Sequence, residues 1–144
     1  MPAGPAPAGF FYFTGVKFLG YTGYAYLLRD KLFDDMASGG MGRTFKIGGT
    51  RTAIGVAAGL AYGALTLFTH VFGNGDKAVV FYFLGLLPVR VAEWWLLLWL
   101  FFRAKMLDRP TTALGISLGT GVSYLLDAIG IAAALVLPGG IWVC

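Results

Sequence analysis

Four long, predominantly apolar runs dominate this chain: Gly9 to Leu28, Thr52 to Phe72, Ala78 to Phe102, and Thr111 to Leu137. Each is close to or above the roughly 20 residues that a helix needs to cross the hydrocarbon core of a bilayer. The runs are continuous and lack the two-residue alternation of a barrel strand, so they predict helices. The expected fold is therefore an all-α integral membrane protein with four transmembrane helices. Composition excludes the ordinary soluble globule: 58% of residues are hydrophobic and 12% charged, with a mean hydropathy of +0.74, against roughly 25% charge in a typical soluble domain.

The punctuation divides the chain into a tail at 1–8, a first helical hairpin at 9–72, a second at 78–137 and a C-terminal tail at 138–144. The Pro/Ala/Gly-rich first tail is expected to be disordered and lacks the positive region that opens a signal peptide. Gly73-Asn74-Gly75-Asp76 reads as a tight turn, Pro138-Gly139-Gly140 as a stop, and Asp108 with Pro110 as the start of the fourth helix. Leu28, Leu32 and Met36 recur every four residues among charges, which predicts an amphipathic extension of the first helix, ended by Ser38-Gly39-Gly40.

Orientation follows from the Lys and Arg residues, which stay on the cytoplasmic side. Arg29, Lys31, Arg43, Lys46 and Arg51 fall in the glycine-rich loop at 29–51, and Arg103, Lys105 and Arg109 in the third loop, whereas the opposite side holds only Lys77. Both termini are expected outside, in a plasma (inner) membrane. The net charge of +4 is then accounted for by anionic inner-leaflet lipid, and no nucleic-acid partner is expected.

Three blocks repeat in order between the halves. Phe11-Tyr12-Phe13-Thr14-Gly15 answers to Phe81-Tyr82-Phe83-Leu84-Gly85, the block from Arg29 to Asp34 to that from Arg103 to Asp108, and the block from Thr52 to Gly59 to that from Thr112 to Gly119. The pattern predicts two parallel hairpin repeats about a pseudo-two-fold axis along the membrane normal. Gly55, Gly59 and Gly63, with Gly115 and Gly119, form small-residue stripes that predict close packing of the second helix against the fourth, within the chain or between protomers.

The residues that point to function are Lys17, Arg90, Glu93 and Asp127, since an ionised group at the centre of a spanning helix costs about 2.5–3.5 kcal/mol even on the lenient insertion scale. Arg90 and Glu93 are three apart and pair locally, which leaves Lys17 and Asp127 to pair across the bundle. Tyr21 and Tyr24 share a face with Lys17, and Thr120 and Ser123 share one with Asp127, so these four are expected to line a polar cavity. Pro88, just before Arg90, predicts a kink or break tolerated beside buried or wet backbone. Trp94 and Trp95 are candidates for the cavity wall.

Other chemistry is thinly supported. One Cys and one His exclude a disulfide framework and a four-ligand zinc site within one chain, so neither metal nor cofactor is expected. The loop stretch from Gly39 to Arg51 matches neither the phosphate-binding Walker pattern nor the dinucleotide fingerprint, although Arg43, Lys46 and Arg51 offer cations for a lipid or phosphate headgroup. His70 has no nucleophile partner and Cys144 no prenylation box.

Three readings remain. One is a small proton, ion or small-solute channel or transporter subunit, in which Asp127 and Glu93 change protonation. The others are an accessory or scaffold subunit of a larger membrane complex and a lipid-modifying enzyme; a non-enzymatic role is favoured. Four helices enclose little space, so a homo-oligomer or a larger membrane complex is expected.

Overall fold

The computed structural model describes residues 7–32, 40–69, 76–102 and 108–134. Among these the chain is all-helical, with α1 at Pro7–Leu27, α2 at Gly40–Thr69, α3 at Asp76–Phe102 and α4 at Arg109–Ala134. Residues 1–6, the turn at 73–75, His70, Arg103, Lys105, Met36 and the C-terminal segment with Pro138 and Cys144 lie outside the described residues.

Two of the helices, α3 and α4, contain stretches long and apolar enough to cross a membrane, Leu84–Phe102 and Arg109–Ala132. In the other two the apolar run is interrupted by charge or by glycine and threonine, as at Lys17 in α1 and at Arg43, Lys46 and Arg51 in α2.

The helices form a ring in chain order: α1 packs on α2, α2 on α3, α3 on α4, and α4 back on α1. This places α2 and α4 at opposite corners, and the expected close contact between their glycine stripes is not made within the chain. Glycine records that something approaches closely without recording what, and here the approach is by side chains, from another helix at Gly119 and from the same helix at Gly55. A Cβ at Gly119 would stand 2.5 Å from the Trp94 ring of α3, and one at Gly55 would stand 3.1 Å from the guanidinium of Arg51 on its own helix. The Gly115 carbonyl accepts a hydrogen bond from Tyr24 of α1. Gly59 is buried, while a Cβ at Gly63 would meet no atom within 4 Å.

The largest departure from expectation is the start of α2, at Gly40 instead of Thr52. Residues 40–51 look like a loop because glycine is a poor helix former, about 1 kcal/mol worse than alanine per residue. Yet Thr44, Ile47, Gly48, Arg51, Thr52 and Gly55 are all buried and recur at helical spacing, so one continuous face is turned inward. Gly48 earns its place in that face, because a Cβ there would collide with the backbone and hydroxyl of Thr22 on α1. Gly40 begins the helix with φ of +46°, a conformation that costs glycine little.

Helix α1 continues past Leu27 through a π-helical turn over Leu28–Leu32, and the rest of the expected amphipathic extension, residues 33–39, lies outside the described residues. Helix α3 runs through Pro88 without interruption. At the start of α4, the Asp108 carbonyl accepts from the Thr112 amide at 3.1 Å, and the Thr111 hydroxyl donates to the Asp108 carboxylate. This is a local cap for the first turn.

Polarity is distributed inside-out. Leu19 on α1, Leu60 on α2, Leu84 on α3 and Leu125 on α4 are all more exposed than buried, while Lys17, Arg51, Arg90, Glu93 and Asp127 are sealed in the interior.

Candidate functional site: a buried ionic chain

Each helix contributes to the charged layer. Helix α1 supplies Lys17, α2 supplies Arg51, α3 supplies Arg90 and Glu93 one turn apart, and α4 supplies Asp127. None of the five is more than 5% exposed.

Lys17 Nζ lies 2.6 Å from Asp127 Oδ1, and Arg90 Nη2 donates to Asp127 Oδ2 at 2.9 Å. The same guanidinium reaches Glu93 Oε2 through Nη1 at 3.2 Å. Arg51 Nη2 closes on that oxygen from the other side at 2.6 Å. The order Lys17, Asp127, Arg90, Glu93, Arg51 alternates in sign and begins and ends on a cation. Among the described residues, three positive groups therefore face two carboxylates, a remainder of one positive charge.

A layer of aromatic and hydroxyl groups lies directly against this chain. Ser123 Oγ accepts from Trp94 Nε1 at 2.9 Å and from Arg51 Nη2 at 3.2 Å, and it donates to the Gly119 carbonyl at 3.1 Å. The Tyr21 hydroxyl donates to it at 3.4 Å. Tyr24 donates to the Gly115 carbonyl at 2.9 Å and sets its ring edge-on to Trp94, 5.1 Å between centroids. The Arg51 guanidinium carbon stands 4.6 Å from the centre of the Tyr21 ring and 4.8 Å from that of Trp94. Thr120 is buried one turn from Ser123.

These rings stabilise Arg51 only in part. A desolvated cation–π contact is worth about 2 kcal/mol, whereas a buried ion loses several kcal/mol of hydration. Nε and Nη1 of Arg51 and Nε of Arg90 are buried without an acceptor among the described residues. Five N–H bonds per guanidinium are hard to satisfy with two carboxylates already shared.

No protein-family model, curated protein or solved structure matches the chain. What the site does must therefore be read from its own geometry.

The structure brings Lys17, Arg90, Glu93 and Asp127 together, and with them Tyr21, Ser123 and Trp94; Trp95 faces outward and is 48% exposed. It disperses the three cations expected at a headgroup. Arg51 is wholly buried in the ionic chain, because α2 starts a full twelve residues earlier than expected and carries it inside. Arg43 Nη2 donates to the Phe101 carbonyl at 3.0 Å and so caps the end of α3. Only Lys46 stays exposed.

Arg51 is the member of the charged layer that sequence reasoning placed elsewhere, at a headgroup. The available signal was its spacing from Thr44, Ile47 and Gly55, a helical stripe hidden among glycines. Outside the ionic chain, an open groove of about 680 Å³ runs between α1 and α2, lined by Thr14, Phe18, Gly49, Ala53, Ala57 and Leu60 among others. None of the five buried charges lines it. Among the described residues, no three His, Cys, Asp or Glu side chains are grouped to hold a metal ion.

Proposed function

We propose that the chain is a multi-pass protein of the plasma (inner) membrane, built of two duplicated parallel hairpins. On this reading all four helices span the bilayer and both termini lie outside. The ionic chain is the binding station of a small channel or transporter subunit for an ion or small solute, acting as a homo-oligomer or within a larger membrane complex.

Exposed leucines on every helix around a charged interior suit a lipid solvent, since a water-facing surface is rarely apolar over so large a patch. The ring order sets α1 opposite α3 and α2 opposite α4, as two parallel hairpins about a central axis require. The observation that carries the reading is the unbalanced charge. A network serving only to hold helices in register needs neutral pairs, whereas an uncompensated cation within a membrane bundle is expensive and marks a ligand or ion path.

Reconstitution of the purified chain in liposomes, assayed with a panel of ions and small solutes, is expected to give flux that Arg51→Gln removes while helix content is kept. Absence of flux across the panel, with a stable co-purifying membrane protein, would support the accessory-subunit reading instead. One observation favours that second reading: the groove between α1 and α2 is walled by Gly15, Gly49, Ala53 and Ala57, small residues that admit another helix closely.

A further inference from the structure

We infer that the ionic chain binds one small monovalent anion, a halide or a single carboxylate, at the unpartnered N–H groups of Arg51 and Arg90. The inference rests on the binding-station reading above and supplies its ligand class.

Three observations converge. The chain of alternating charges ends on a cation at both ends, so one negative charge completes it. Nε and Nη1 of Arg51 and Nε of Arg90 are buried without acceptors among the described residues, and both side chains belong to residues that are 0% exposed. Finally, the two guanidinium groups meet at one place: the open Nη1 of Arg51 and the Nη1 of Arg90 that already donates to Glu93 lie 3.1 and 3.9 Å from where a Cβ on Gly55 would stand. Two like charges held this close share a single oxygen of Glu93, and a second anion relieves their repulsion.

Lys17 is the other terminal cation, but its ammonium already lies against Asp127 and 4.3 Å from the centre of the Phe13 ring. The open donors are at the Arg51 end. The charge remainder sets the valence, because a dianion would leave the buried layer one charge negative.

The test is a thermal unfolding series on the full chain in neutral detergent, with sodium gluconate replaced by sodium chloride or sodium formate at constant ionic strength. The expected result is a saturable rise in melting temperature of about 5 °C or more with at least one of the two. Response to formate alone assigns a carboxylate ligand, and response to chloride assigns a halide. Arg51→Gln, which leaves two cations against two carboxylates, is expected to lose the shift. Gly55→Ala keeps all five charges and crowds Nη1 of Arg51, so it is expected to weaken the apparent affinity tenfold or more.

The inference is overturned by no shift in either salt, by an equal shift with sodium sulfate, or by a shift that survives both substitutions. Failure of the transport reading looks different: a chain that binds the anion and passes nothing into liposomes keeps this inference and loses that function. Flux from a chain whose stability ignores both anions does the reverse.

Discussion

Around Arg90 the centre of the bundle is ionic; two helical turns along α3, around Leu97, Leu98 and Phe102, it is hydrocarbon. The apolar half gathers Leu28 from the π-helical turn after α1 and Ile47 from α2 with those three side chains, and Trp94 with Tyr24 forms the boundary. On the membrane reading proposed above, these halves obey different rules. Lipid tails are as apolar as leucine, so burying Leu97 or Leu98 there yields packing contacts and little hydrophobic driving force. Lipid offers Asp127 no substitute for Lys17 and Arg90, so the ionic half decides which faces must meet. The apolar half then fits itself to the result.

The strongest way to break this comparison is Asp127→Ala, which strips Lys17 and Arg90 of their shared counter-ion. A loss of about 3–5 kcal/mol is expected by thermal or denaturant unfolding in detergent, since a buried charge is left unpaired. Leu98→Ala, in the apolar half, is expected to cost about 2–3 kcal/mol in the same measurement. A larger loss there than at Asp127 would reverse the ranking of the two halves.

At the boundary, Gly119→Ala places a methyl where the Trp94 ring now rests. The indole must shift and its bond to Ser123 stretch, for about 1–2 kcal/mol and a change in tryptophan emission. Arg43→Ala removes a half-buried donor from the Phe101 carbonyl at the far end of the apolar half. Less than about 1 kcal/mol is expected, with amide exchange quickening only in the last turn of α3.

The four ionisable residues at 17, 90, 93 and 127 were legible because charge within an apolar run is conspicuous one residue at a time. Helix existence was legible for the same reason, from the length of each run. The boundary of α2 was not, because glycine weighs against helix locally while the buried stripe from Thr44 to Gly55 weighs for it only once α1 and α3 are present to cover it. Arg51 was misplaced along with that boundary. Its basicity suggested a membrane surface, and nothing near it in the chain named Glu93, forty-two residues away, as its partner.

The glycines make the same point from the other side. Gly55 and Gly119 were recognisable as positions of close approach, yet the bodies that approach them are the Arg51 guanidinium and the Trp94 indole and not each other's helix.

By itself, then, the sequence determined an all-helical chain with apolar exteriors and costly charges at mid-helix, because solvent preference belongs to each side chain separately. The tertiary structure alone decided that five such charges form one line, that the line carries a surplus cation, and that a glycine-rich segment is helix. Those are properties of neighbours, and neighbours are set by how four helices close into a ring.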